Sequence, residues 1–493
     1  MANETVFVLN LPFVKDFCRT QRWAARTRGR VLRAPDWLAY TTAVLEKEGI
    51  NTKFYDFPAK DWDKDRLRDL CRTEKPAVVV LDSTTPSIYS DIDCARICKE
   101  ECEAKIIMVG PHVSSCTEET LNEAAGYVDA GAVGEYEYTV RDFVKAALRG
   151  AETFEGIQGL VWRRGDENVR NAPRPLIENL DELPFPAWRH LNLWDYFDGT
   201  KLYPYINIIG GRGCPCRCSF CLWPQVMHGN RYRFRSPENI VEEMRWVLRE
   251  WPKAARGEFF FEDDTFTVNR NRAHAVCDAI AESGLGCTWS VNTRADVLDD
   301  DLLRHMKAAG CRLLLVGYES GSQAMLDRMD KHIQVETMRQ FTRKAQSAGL
   351  QVHGCFVLGL PGETLETMNE TLAFALGAGL DTVQFSGAVP FPGTRYFDYC
   401  RDEGLLRAKR WDEWLNDGEQ QPVVDYPGLS KACVEGHINQ GLKRFYFRPS
   451  YMVKFLFATR SRQDLYRKMR GARNFLRYLI EQRRNDSNNT ESC

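Results

Sequence analysis

The chain has 493 residues, 44% hydrophobic and 27% charged, with a formal net charge of −2. At roughly 150 residues per domain, this length allows about three domains. No run of about 18 apolar residues occurs, so no membrane-spanning helix is expected. The first ten residues, Met1 to Asn10, lack a basic start and a cleavage site; they predict a first strand, and the protein is expected to be cytoplasmic. The 17 cysteines are odd in number and lack the density of a small secreted scaffold. In a reducing compartment such residues are metal ligands or small buried hydrophobes.

In the first 150 residues, short apolar runs alternate with helix-like stretches. Val6–Leu11, Ala77–Leu81 and Ile106–Val109 predict buried parallel strands, and Tyr127–Val133 a weaker one. Between and after them Trp37–Glu48, Asp91–Glu101, Glu118–Ala125 and Thr139–Leu148 predict helices. This alternation implies a doubly wound α/β domain over residues 1–150. Its ligand would sit at the C-terminal strand ends, which carry Ser83-Thr84-Thr85-Pro86, Gly110-Pro111-His112 and Gly134-Glu135-Tyr136-Glu137. Cys94, Cys98 and Cys102 share one helix face at spacing i, i+4, i+8 and are expected to be core or half-buried rather than ligands. Residues 151–199 are less regular and proline-punctuated, and predict a linker.

A second series starts at Tyr205. Tyr205–Ile209, Glu258–Phe261, Thr288–Val291, Leu313–Tyr318, Val352–Leu358 and Thr382–Ser386 predict six strands with helices between them, a partial (β/α)6 barrel over residues 200–400. Chemistry then belongs at the C-terminal strand ends. Residues 401–493 read as mostly helical. From Lys443 to Arg484 the segment carries +11, leaving −13 for the rest of the chain, and its basic residues alternate with Phe445, Tyr446, Phe447, Tyr451, Phe455, Phe457, Tyr466, Phe475 and Tyr478. That pattern suits an interfacial helix on an anionic membrane, an RNA surface, or aromatics packed on the barrel with the charges in water. Arg19, Arg22, Arg26, Arg28, Arg30 and Arg33 form a second basic stretch.

The segment Gly211-Arg-Gly-Cys214-Pro-Cys216-Arg-Cys218-Ser-Phe-Cys221 directly follows the first barrel strand. Three thiolates at C-x3-C-x2-C can hold an iron–sulfur cubane and leave one iron open. Three cysteines with His228 could instead bind zinc, and Cys216 could replace one of the three.

The segment Arg212–Cys221, with Phe220 before its last cysteine, resembles the signature of the radical S-adenosylmethionine (SAM) superfamily. Phe261–Phe266, Asn292–Asp296, Gly317–Ser322 and Gly354–Glu363 resemble the family's later strand ends in order. The resemblance implies an enzyme in which Cys214, Cys218 and Cys221 hold a 4Fe–4S cluster, with Cys216 extra. It implies Phe220 near the adenine of SAM, Asp263 near its amino group, and Arg294, Glu319 and Ser320 as further SAM neighbours. One-electron reduction would give a 5′-deoxyadenosyl radical, with a flavodoxin- or ferredoxin-type electron donor. Residues 1–150 resemble the cobalamin-binding domain joined to many such enzymes, which implies corrinoid contacts from Ser83, Thr84, Thr85, Gly110, Pro111, Gly134 and Glu135. The Asp-x-His-x-x-Gly motif of histidine-ligated corrinoids is absent, so His112 is not expected on cobalt.

Cys221-Leu-Trp-Pro-Gln225 and Arg444-Phe-Tyr-Phe-Arg-Pro449 are similar to segments of hopanoid-associated radical SAM enzymes of cyclitol head-group assembly. Together these resemblances imply methylation or rearrangement at an unactivated carbon of a lipid, glycolipid or secondary metabolite. They also imply possible peripheral contact with the inner face of the membrane and no nucleic-acid partner. A ring-forming or ring-contracting enzyme with a degenerate cobalamin domain is the alternative. A cluster-bearing electron carrier and a cobalamin-binding regulator are the non-enzymatic readings. No catalytic proton donor is identified.

Overall fold

A computed structural model of the protein describes residues 4–19, 24–296, 299–416, 418–421, 423–457, 459 and 461–486; Arg22 of the first basic stretch lies outside them. In the first sheet, β1 (Val6–Asn10), β2 (Thr52–Asp56), β3 (Val78–Asp82), β4 (Lys105–Val109) and β5 (Ala130–Ala132) run parallel in the order β2-β1-β3-β4-β5. Every residue of β1 and β3 is buried, as expected for strands covered by helices on both faces. The order reverses between β1 and β3, and that switch opens the ligand crevice of such sheets.

Two features depart from the sequence expectation. β2 alternates buried and half-buried residues, because it is an edge strand with one face only partly covered, so it shows no apolar run. Residues 160–170, within the expected linker, form the hairpin β6 (Leu160–Arg164) and β7 (Glu167–Arg170), which pairs antiparallel with β5 and extends this sheet. Cys94 and Cys98 are fully buried, and the Cys98 Sγ lies 3.7 Å from that of Cys71, so this face is core as expected.

The second sheet joins β8 (Tyr205–Ile208), β11 (Glu258–Phe261), β12 (Trp289–Thr293), β13 (Cys311–Glu319), β14 (Gln351–Leu358) and β15 (Thr382–Gly387), all parallel and in chain order. β8 and β15 are its edges and do not pair, so the barrel is open. Between β8 and β11 lie two short strands, β9 (Gly211–Arg212) and β10 (Arg233–Phe234), paired antiparallel. They pin both ends of the cysteine-bearing loop.

The C-terminal region is helical as expected, with helices Lys431–Tyr446, Pro449–Phe457 and Arg462–Asp486. The first covers the edge strand β15. The Tyr446 hydroxyl donates to the Val383 carbonyl (2.6 Å) and accepts the Val383 N–H (3.0 Å), pairing backbone groups that an edge otherwise leaves open. Among the described residues no helix is long and apolar enough to cross a membrane.

Candidate functional site

The cysteine loop leaves the sheet through β9 and returns through β10. Cys214 and Cys218 are buried, while Cys216 and Cys221 are half-buried. The Cys214 and Cys216 thiols neighbour each other, and that proximity with burial pushes the Cys214 thiol up. Burial pushes the Cys218 thiol up, and the nearby charges of Lys331 and Arg294 oppose it. A six-residue π-helix, Trp223–His228, follows the last cysteine; such wide turns often occur at functional sites. Gln225 donates its Nε2–H to the carbonyls of Cys218 (3.3 Å) and Cys221 (2.7 Å), fixing the loop's far end. His228 stacks on Trp223 (5.3 Å) and packs against Trp37 (4.6 Å), with its Nδ1 3.4 Å from Asp264. Among the described residues no three His, Cys, Asp or Glu side chains converge as a ready-made cage for one metal ion.

The neighbouring strand ends bring charge to this loop. Glu319 ends β13, where the register with β14 shifts, and adopts a left-handed φ of 65°. Its carboxylate accepts from Lys331 Nζ at 2.9 Å, and both side chains are largely buried. Burial works against the Lys331 ammonium, but Glu319 and then Cys218 hold its pKa above the ordinary value. Lys331 sits between two further left-handed residues, Asp330 (φ 62°) and His332 (φ 54°). Non-glycine residues in this region cost about 1–3 kcal/mol each and cluster where surrounding structure requires them. Arg294 donates to Asp296 (2.8 Å) and to the Lys331 carbonyl (2.8 Å). The structure thus places Arg294 and Glu319 beside the cysteine loop. Lys331, which sequence reasoning missed, joins them across 12 residues of chain.

Other expected residues face elsewhere. Asp263 is fully buried and accepts from the Gly210 N–H (2.7 Å), the Tyr232 hydroxyl (2.9 Å) and Arg272 (3.2 Å). It holds the start of the cysteine loop against β11. Asp264, next in sequence, accepts the Gly213 N–H at 2.9 Å. Ser320 is buried, with its hydroxyl 2.9 Å from that of Thr371. Phe220 belongs to the main core cluster.

At the first sheet's strand ends, Ser83 donates to the Val109 carbonyl (2.8 Å), the Thr84 hydroxyl meets Ser87 (2.8 Å), and the Thr85 hydroxyl meets His112 Nδ1 (3.1 Å). Gly110 has φ 106°, and a Cβ there would collide with the Ser83 carbonyl and lie 2.7 Å from Asp82. Only glycine fits that close approach. Pro111 starts the short helix Pro111–Ser115, and Ser114 accepts the Gly134 N–H at 3.0 Å. Burial lowers the His112 pKa to about 3, and Trp411 packs edge-on against its ring at 5.2 Å.

Glu135 does not face an open crevice. It accepts from Arg233 at 2.5 and 2.8 Å, lies 3.8 Å from Arg212, and accepts the Ile177 N–H at 3.0 Å. Glu137 accepts from Arg212 at 2.6 Å. Burial alone would raise the Glu135 pKa, but Arg212 and Arg233 hold it below the ordinary value. Because Arg212 and Arg233 lie on β9 and β10, this buried network ties the base of the cysteine loop to the strand-end loop of the first domain.

Comparison with known families gives matches to both sheets. Residues 34–144 match the B12 binding domain and residues 208–375 match the radical SAM superfamily. An uncharacterized methyltransferase of Pyrococcus horikoshii is 31% identical over 86% of this chain and 90% of its own. The anaerobic magnesium-protoporphyrin IX monomethyl ester cyclase of Cereibacter sphaeroides is 29% identical over 86% of this chain and 68% of its own. A similar fold is found in the radical SAM methyltransferase TsrM of Kitasatospora setae, solved with cobalamin and a [4Fe-4S] cluster (TM-score 0.67, 17% identity, 91% and 90% of the two chains). The hopanoid-type resemblance rests on Cys221–Gln225 and Arg444–Pro449 alone.

Proposed function

The chain belongs to the radical SAM superfamily, in the branch that carries a B12-binding domain, and from that premise we propose that it is a cobalamin-dependent radical SAM enzyme that methylates an unactivated carbon. Cys214, Cys218 and Cys221 are the proposed cluster ligands. The donor set fits a cubane: three thiols on one loop, pinned at both ends, next to the cationic Lys331 and Arg294 that favour thiolates. The first domain's strand-end loops, built from Ser83, Thr84, Thr85 and Gly110, are the proposed corrinoid contacts, because they stand at the switch between β1 and β3 where such sheets bind their ligands.

When bound, the cluster supplies the electron that cleaves SAM, and the corrinoid serves as the methyl carrier. The chain's own residues position and enclose this chemistry. Glu319 and Arg294 are the proposed contacts to the amino-acid part of SAM, with Lys331 orienting Glu319. The Arg212–Glu135–Arg233 network holds the two cofactor regions face to face, and that juxtaposition is the observation that carries the reading.

The protein should be purified anaerobically after growth with hydroxocobalamin, then supplied with SAM and a flavodoxin- or ferredoxin-type donor. Formation of 5′-deoxyadenosine and a corrinoid spectrum are expected. Cluster-loaded protein that forms no 5′-deoxyadenosine sinks the reading. The cyclase relative supports ring formation as a second reading, and transfer of label from methyl-labelled SAM to product separates the two.

Peripheral membrane contact is part of the proposal. Phe445 and Tyr478 pack into the protein, but Phe457 is 85% exposed and Phe447 50%, alongside the basic residues of the last two helices. Binding to anionic liposomes that weakens with salt supports it, and no binding at low salt removes it.

A further inference from the structure

A cavity of about 580 Å³ lies on the inward face of the barrel sheet, within the usual size range of small-molecule pockets. Leu313 and Leu315 on β13, Gln351 and His353 on β14, and Thr382 and Gln384 on β15 line it. Residues two apart on a strand share a face, and the register sets Leu315 beside His353 and His353 beside Thr382. The same face leads to the cysteine loop. A Cβ on Gly317, two residues beyond Leu315, would meet the Glu319 carboxylate and lie 3.3 Å from Lys331 Nζ. The Glu319–Lys331 pair therefore stands just above the β13 wall of the cavity.

The lining combines an apolar wall with basic side chains, of which Arg33, Arg312, Arg467 and Lys468 are ion-paired with Glu262, Glu258 and Asp464 behind it. The C-terminal helices contribute Tyr451, Phe455 and Phe475, while six Lys and Arg face three Asp and Glu. Each of those carboxylates already has a protein partner. Asp198 accepts from Lys201 (2.7 Å) and Arg33 (3.2 Å), Asp381 accepts the Val352 N–H (2.8 Å), and Glu419 lies 3.7 Å from Arg30.

Arg28 is different. It donates Nε to the Tyr478 hydroxyl (2.9 Å) and Nη1 to the Phe385 carbonyl (3.3 Å), and its charge acts on Glu419 across the cavity wall without a hydrogen bond between them among the described residues. Arg467, which also lines the cavity, has a buried Nε without a hydrogen-bond partner among the described residues. A guanidinium that keeps donors free beside an apolar wall is suited to a planar or tetrahedral acid group.

We infer that this cavity binds an anionic amphiphile, with a carboxylate or phosphate on Arg28 and an apolar body lying along β13–β15 toward the Glu319–Lys331 pair. Calling that ligand the substrate rests on the function proposed above; the binding itself does not involve the cluster.

Octanoate and octyl phosphate present the two acid groups on one apolar chain, and octanol is their neutral twin. Each is titrated calorimetrically into the cluster-loaded, full-length protein. Both anions are expected to bind at least about tenfold more tightly than octanol, the scale of one charged hydrogen bond. Arg28→Gln should narrow that gap to within about threefold and leave octanol unchanged. Leu315→Trp, which fills the cavity from the sheet side, should abolish binding of all three. Iron content and circular dichroism equal to the parent's establish that both variants fold. Equal affinity for octanol and the anions, unchanged binding in Leu315→Trp, or no binding of any probe overturns the inference. Absence of 5′-deoxyadenosine with this binding pattern intact removes the proposed function and leaves the cavity's ligand class standing.

Discussion

The ends of β3 and β4 in the first sheet are lined by hydroxyls and a neutral ring, whereas those of the barrel sheet carry paired charge that is largely buried. Ser83, Thr84 and Thr85 bond within the domain, burial keeps His112 neutral, and burial raises the Asp82 pKa to about 7. At the barrel ends Glu319, Lys331, Arg294 and Asp296 lie beside the cysteine loop. The first environment suits a large group held mainly by shape and backbone contact. The second suits a zwitterionic ligand and a cluster of thiolates, which need compensating charge. One fold class, α/β with parallel strands, thus presents two unlike surfaces to each other.

The largest effect should come from the barrel side. Replacing Cys214, Cys218 or Cys221 with Ala is expected to abolish iron loading and 5′-deoxyadenosine formation, and Cys216→Ala to retain both. Iron and sulfide content with product chromatography decide this. Loss of the cluster in Cys216→Ala with retention in Cys218→Ala would show that the ligand set is wrong.

The seam between the two surfaces comes next. Glu135→Gln leaves Arg233 and Arg212 buried with one carboxylate fewer, and breaking such a pair costs about 3 kcal/mol. Urea unfolding at pH 7 should show that loss. Because the Glu135 pKa is held down, its stabilisation is present above the ordinary carboxylate range and disappears as pH falls through the folded value. A parent and variant that differ equally at pH 7 and at pH 3 would contradict the sign.

On the neutral side, Gly110→Ala places a methyl against the Ser83 carbonyl at φ 106° and should cost about 2 kcal/mol. Corrinoid retention should fall while iron content holds. Equal loss of both cofactors would mean that the two surfaces are not separable.

How far the sequence revealed these surfaces follows from distance along the chain. The cysteine loop was legible because all its thiols lie in one eight-residue segment after a predicted strand, while the choice of Cys214, Cys218 and Cys221 over Cys216 came from the family resemblance. Glu319 was expected near SAM on resemblance, but its partner Lys331 depends on a turn that brings residues 319 and 331 together. Glu135 was expected on the corrinoid; it pairs instead with Arg212 and Arg233, which are neighbours only because β9 and β10 fold beside the first domain. The barrel strands were legible as apolar runs. β2 and β7 were not, because edge strands keep polar residues on their open face, and β6 was not, because its apolar run is only Leu160–Trp162.

The smallest expected effect tests whether the first surface is neutral at physiological pH. Asp82 ends β3 and is buried. Burial raises its pKa to about 7, Arg19 lowers it, and Asp91 and Asp56 raise it further. A carboxyl whose folded pKa lies above its unfolded value near 3.8 binds its proton more tightly when folded. Its stabilisation is complete below the unfolded value and fades as pH rises to the folded value. Between pH 6 and pH 8 this amounts to about 1.4 kcal/mol. Asp82→Asn removes the titration and leaves the shape. Thermal melts of parent and variant at pH 6 and pH 8 should therefore diverge, the parent losing about 1 °C more than the variant over that interval. Arg19, Asp91 and Asp56 are present in both proteins, so the difference between the curves isolates position 82. Parallel curves would mean that Asp82 is already charged at pH 6, and the contrast between a neutral first surface and a charged second one would then fail at its buried carboxyl.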